Sequence, residues 1–175
     1  MSRGFVKEDD QEEAPFIPPR AAIPPGVTNY VTPTGYEELQ SEKKQLENQL
    51  STLNIEDEKE KRHARAILTG KLNLLNERIN TARVLDPAEQ PLDEVRFGAT
   101  VTFEIISGDQ VGTVNRFQLV GVDEADIKLH KIAFVAPIAV VLSGKKKGEI
   151  AQFKRGPAVQ EFKILEIEYD LTKEN

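Results

Sequence analysis

The stretch Asn54 to Ala66, NIEDEKEKRHARA, crowds Glu56, Asp57, Glu58 and Glu60 against Lys59, Lys61 and Arg62, with no apolar side chain from Glu56 to Arg62. Carboxylates at this density could supply the hard oxygen ligands that Mg2+ prefers. Residues three apart on an opening helical turn share a face, so two of them could point outward together. The basic side chains that follow could pair with phosphates without reading a sequence. The same run also fits a solvated bend, because acidic residues near a helix N-terminus favour its dipole. Which reading holds depends on the elements that flank the run.

Elsewhere the chemistry-bearing residues are sparse. The chain has no cysteine and only two histidines, His63 and His130, which excludes a disulfide scaffold or thiolate zinc site and disfavours a histidine-based metal site. Asp123, Glu124 and Asp126 form an acidic loop, but a Ca2+ site needs more convergent oxygens at fixed spacing. Lys145–Lys147 read as a solvated turn. With 29 acidic and 23 basic side chains in 175 residues, the chain is mildly acidic, which argues against a general nucleic-acid coat. No apolar run has the length of a membrane span, and no signal peptide is visible, so a soluble, cytoplasmic protein is expected.

Three segments must carry these residues. Residues 1–31 hold an acidic cluster (Glu8, Asp9, Asp10, Glu12, Glu13) and the proline-dense APFIPPRAAIPPG, which is incompatible with a core of its own. An extended tail is expected, either without structure or strapped to a surface through Phe16, Ile17 and Ile23. Residues 32–86 open on Thr32 as a helix cap with Pro33 in the first helical position. Tyr36, Leu39, Leu46, Leu50 and Leu53 then mark a heptad seam interrupted by Lys43, and Ala64, Leu68, Leu72, Leu75, Ile79 and Ala82 mark a second. These predict an antiparallel helical hairpin whose first arm, of about 22 residues, is roughly 33 Å long. A single seam favours a monomer, although Ile55 and Ile67, expected to be exposed, leave room for association.

Asp86-Pro87 ends the hairpin, and 87–94 reads as a linker. From 95 to 171 the period changes. FGATVTFEI alternates as a half-buried strand, and NRFQLVGV, KIAFVA, EIAQFKR and QEFKILEIEY are further strands. The last shifts phase between Ile164 and Leu165, which a bulge or burial of both faces explains. APIAVVLSG predicts one short helix starting at Pro137, and 172–175 is a terminal tail. The fold class is α+β: a helical hairpin, then a small antiparallel sheet packed on one helix.

This order of parts, with FGATV, VGVDEAD, APIA, the GKKKGE turn and a closing strand ending in IEY, resembles the GreA/GreB family of bacterial transcription elongation factors over Thr32 to Tyr169. The resemblance implies an FKBP-like C-terminal domain that docks on RNA polymerase at the rim of its secondary channel. It also implies a coiled coil that enters the channel, where acidic residues at its tip help the polymerase hold a second Mg2+ and orient a water for cleavage of backtracked RNA. The chain would not be an enzyme by itself, would bind no cofactor stably and would read no DNA sequence.

The family tip carries D-x-x-E, and Asp57-Glu58-Lys59-Glu60 has that spacing, so Asp57 and Glu60 are implied as the catalytic, Mg2+-sharing pair. Glu56 stands where the family has a tight-turn glycine, and Lys61 where it has asparagine. Each arm is shorter than the family's by about one heptad, roughly 10 Å. That geometry also matches short-coil relatives that occupy the channel entrance without cleaving, so a non-catalytic modulator is the alternative. Arg62 and Arg65 are the implied counterparts of the family's contact with the RNA 3′ end, or else ordinary charges paired with Glu58 or Glu77. Val135-Ala136-Pro137 replaces a polar D/N-S-P segment, which implies polymerase docking through Val135, Pro137 and Ile138, unless Val135 is core. Prolyl isomerase activity is disfavoured, since those enzymes line a pocket with aromatics that typically include tryptophan, and this chain has none.

Overall fold

The computed structural model describes residues 13–171. Helix α1 spans Pro33–Ser51 and α2 spans Glu58–Thr81. The chain therefore turns at 52–57, and most of the charged run belongs to the opening turns of α2 rather than to the bend. Leu39, Leu46 and Leu75 are buried along the seam, with Tyr36, Leu68, Leu72, Ile79 and Ala82 packed around them. Leu53 falls beyond the end of α1, whose 19 residues correspond to roughly 28 Å, shorter than expected. Ile55 and Ile67 are half-buried rather than exposed.

At the open end of the hairpin, strand β1 (Tyr30–Val31) pairs in parallel with β2 (Arg83–Val84), so the chain entering α1 is bonded to the chain leaving α2. Val31 is buried there with the seam leucines. Asp86 then caps a 3-10 turn, Pro87–Glu89, and Pro87 is buried against Gly98. Gly98 has φ +87, and a Cβ at that position would lie 3.0 Å from the proline ring, so both backbone and space call for glycine.

The base is a five-stranded sheet of β3 (Thr100–Ser107), β4 (Val114–Val120), β5 (Lys131–Ala133), β6 (Ile150–Arg155) and β7 (Ala158–Glu168), in the order β5-β4-β3-β7-β6. The sheet is mixed rather than wholly antiparallel, because β5 runs parallel to β4. The connection 121–130 loops past the hairpin root before the chain returns in its original direction. In β7 the pairing steps from Phe103↔Ile164 to Thr102↔Glu166, leaving Leu165 as the extra residue of a bulge. That is the physical cause of the phase shift in the sequence.

Helix α3 (Pro137–Leu142) buries Ala139 and Leu142 against the sheet. Phe103, Phe162, Ile164 and Leu119 fill the space beneath it, with the Phe103 and Phe162 rings 4.9 Å apart. Each fully buried side chain of this size contributes about 1.5–3 kcal/mol.

The proline-rich segment lies along the rod. Ile17 packs on Gly70 of α2, where an added Cβ would come within 1.8 Å of its Cδ1. Further on, Arg78 donates to the Ala21 carbonyl. Phe16, expected to help strap the segment, is instead 80 % exposed, because the proline-rich backbone turns it outward while Ile17 faces the helix. Ile23 is half-buried. Glu8, Asp9, Asp10 and Glu12 lie outside the described residues, as do 172–175.

Candidate functional site

Asp57 is the N-cap of α2. Its backbone is extended, and its Oδ1 accepts the Glu60 N–H at 2.8 Å. The D-x-x-E spacing is therefore also a capping signature, with Glu60 in the third helical position. Glu58 and Glu60 add negative charge to the first turn, where the helix dipole favours it. Glu56, Asp57, Glu58, Lys59 and Glu60 are all exposed. Two carboxylates three positions apart are thus held in solvent at the bend of the hairpin, on a turn that the cap itself makes regular.

Among the described residues, no group of three or more His, Cys, Asp or Glu is arranged to hold a metal ion. Asp57 and Glu60 fit Mg2+ only as supplements to ligands from another molecule. They bring the preferred oxygens but fall short of a coordination shell.

Lys61 approaches Glu58 at 3.8 Å, an exposed pair of small energetic worth. Arg62 and Arg65 are exposed one turn further along α2. Arg62, Lys59 and His63 line an open cavity of ≈ 560 Å³ whose other wall is Glu13, Ala14 and Pro15 of the tail. With Ile17 on Gly70 and Ala21 bonded to Arg78, the tail therefore runs parallel to α2 from the helix's opening turns toward the root.

In the base, Pro137 is the exposed first residue of α3, whereas Val135 is half-buried and Ile138 packs against the core. The outward face of this helix is formed by Pro137 with Val140, which is 59 % exposed. Val140 had no distinguishing sequence signal beyond its place in the helical period. Lys146, in the basic turn, pairs with Asp93 of the linker at 2.7 Å, which holds the Asp93 carboxyl below the ordinary carboxylate range.

The acidic loop proves to be the hairpin's seat. Thr32 Oγ1 accepts the Gly35 N–H at 2.9 Å and donates to Glu124 Oε2 at 2.5 Å, while Lys131 Nζ lies 3.0 Å from Glu124 Oε1. Gly35 leaves room for that carboxylate, since a Cβ would sit 2.5 Å from Oε2. Asp123 receives Arg20 Nε at 2.9 Å on Oδ1 and faces Arg78 Nε at 3.0 Å on Oδ2. Asp126 caps the 3-10 turn Ile127–Leu129 by accepting the Lys128 N–H. Above the loop, Tyr30 packs against Phe97 and Phe134 at ring separations of 5.9 and 5.8 Å. Sequence reasoning weighed this loop only as a metal site. Its partners Arg20, Thr32 and Arg78 are distant in sequence, and no local signal pointed to them.

Among the described residues, no helix is long and apolar enough to cross a membrane. Residues 89–169 match the family described as "Transcription elongation factor, GreA/GreB, C-term". The transcription elongation factor GreA of Psychrobacter sp. is 31% identical over 155 residues, covering 79% of this chain and 96% of that one. The GreA of Neisseria meningitidis serogroup A is 35% identical over 103 residues, so the chain spans 63% of that protein's length. A solved GreA/GreB elongation factor from Nitrosomonas europaea aligns over 82% of this chain and 99% of its own, at 24% identity and a TM-score of 0.39.

Proposed function

This chain belongs to the GreA/GreB family of transcription elongation factors, and from that premise we propose that it acts on RNA polymerase through the secondary channel, stimulating cleavage of backtracked RNA. The observation that carries the reading is the exposed Asp57 and Glu60 pair on a capped turn at the far end of the rod. The base docks at the channel rim through the outward face around Pro137, with Val135 and Ile138 behind it. The hairpin enters the channel, and Arg62 and Arg65 pair with phosphates of the extruded RNA 3′ end.

Asp57 and Glu60 would complete the shell of the polymerase's second Mg2+, which when bound stabilises the attacking and leaving oxygens of the displacement. Asp57 keeps one oxygen on the cap and turns the other outward, while Glu60 orients the water by a hydrogen bond. Added to a backtracked elongation complex, the protein should release a short 3′ RNA fragment. Asp57→Ala with Glu60→Ala should abolish that release while polymerase binding persists. Binding without release at any concentration of the unaltered chain would overturn the cleavage reading.

A second reading is favoured by the length of α1, 19 residues or roughly 28 Å. A rod that stops short delivers no metal ligand, since misplacement by an ångström or more already disables positioned chemistry. The protein would then occupy the channel as a non-catalytic modulator. Inserting one heptad into each arm preserves the seam and lengthens the rod by roughly 10 Å. Release that appears only in the lengthened chain identifies reach as the limit.

A further inference from the structure

We propose that residues 13–31 form a brace that sets the angle of the hairpin on its base, with Arg20 as the positioning residue. Arg20 donates from Nη1 and Nη2 to the two oxygens of Glu42 on α1, at 2.8 and 3.0 Å, and from Nε to Asp123 of the base at 2.9 Å. A planar guanidinium that engages one carboxylate with its fork and another with Nε holds both in a fixed relation, which a lysine does not reproduce. The second oxygen of Asp123 faces Arg78 of α2. Tail, α2 and base therefore meet at the Asp123 carboxylate, and α1 joins them through Glu42 on the Arg20 guanidinium.

The side chains of Arg20, Asp123 and Arg78 are 19, 9 and 11% exposed, so solvent and salt screen that part of the cluster little, whereas Glu42 is 42% exposed and its pairing with Arg20 is screened more. The hydrogen bonds that Arg20 donates to Glu42, reinforced by Asp123 and opposed by burial, raise the Arg20 pKa above its ordinary value. On either side of this node the tail is seated independently. Ile17 rests on Gly70, Asn29 Nδ2 donates to the Arg78 carbonyl at 2.9 Å, and the Tyr30 carbonyl passes so close to Gly121 that a Cβ there would lie 2.7 Å away.

The mechanical consequence follows from the length of the rod. Helix α2 has 24 residues, roughly 36 Å, so a tilt of about 10° at the root displaces the tip by roughly 6 Å. That exceeds the tolerance of positioned chemistry. The proposal rests on the reading that the tip must be aimed, but its test uses the free protein and needs no polymerase.

The chain has no cysteine, so Glu56→Cys at the bend and Lys154→Cys on β6 give a unique pair for spin labels. Pulsed electron-resonance distances on the full-length chain should form one narrow distribution. Arg20→Ala should at least double its width, Arg20→Lys should give an intermediate width, and deletion of residues 1–22 should broaden it further. The thermal unfolding of Arg20→Ala, followed by circular dichroism, should stay within a few degrees of the parent. An unchanged width in folded Arg20→Ala overturns the proposal, whether or not the truncated chain folds. Loss of RNA release with a narrow distribution would instead count against the cleavage reading alone.

Discussion

Both helices of the rod begin on a side-chain cap, and the two caps sit at opposite ends of it. Thr32 accepts the N–H of Gly35, and Asp57 accepts the N–H of Glu60, at nearly the same distance. Their surroundings differ completely. Thr32 is 3 % exposed and lies under Glu124, which is itself paired with Lys131. Asp57 stands in solvent among charges of both signs. One local device therefore serves two ends: at the root its polar atoms are consumed in joining the hairpin to the base, and at the tip they are kept where another molecule can meet them.

The contrast predicts a gradient of stability effects along the rod. The largest belongs to the root half of the seam, where Leu75→Ala leaves a cavity in a fully buried site and should lower unfolding free energy by about 2–5 kcal/mol in denaturant titration. Glu124→Ala strips the partner from Lys131 and from the Thr32 hydroxyl. It should cost about 2–3 kcal/mol, because Lys131 keeps some access to water. A loss as small as that of an exposed pair would mean the root is no more tightly held than the tip.

The smallest effect belongs to the tip itself. Asp57→Ala should cost about 0.5–2 kcal/mol as a lost cap, whereas Asp57→Asn should change stability by only a few tenths, since asparagine caps as well as aspartate. The same Asp57→Asn should nevertheless abolish RNA release under the cleavage reading. That separates the carboxylate's charge from its capping role. Retained release in Asp57→Asn would reduce Asp57 to a structural cap.

Much of this architecture was legible in the sequence because its signals are local. Heptad spacing placed the seam, and Leu39, Leu46 and Leu75 are buried as that spacing requires. The phase shift after Ile164 left a bulge or burial of both faces open, and the structure shows the bulge, at Leu165. The bend was misplaced by a few residues because its polarity continues into the exposed first turns of α2. The parallel β4–β5 pair escaped notice because strand direction is not encoded in alternation.

At the candidate site, the capping role of Asp57 is written in its spacing to Glu60. The outward face of α3 is not, since exposure of Val140 depends on which side of a short helix meets the sheet. The course of the tail could not be read either. Proline density dictates an extended chain but says nothing of the surface it follows.

By itself, then, the sequence determined a two-helix rod capped at Thr32 and followed by a small sheet packed on one helix, because periods of two and seven residues and a cap spanning three act between near neighbours. Only the tertiary structure decided that the acidic loop seats the hairpin and that Arg20 ties tail, helix and base together. Thr32 and Glu124 are 92 residues apart, and Arg20 and Asp123 are 103 apart. No short-range rule brings such pairs together. They meet because the buried faces of the rod and the sheet leave these polar groups facing one another, where each needs a partner.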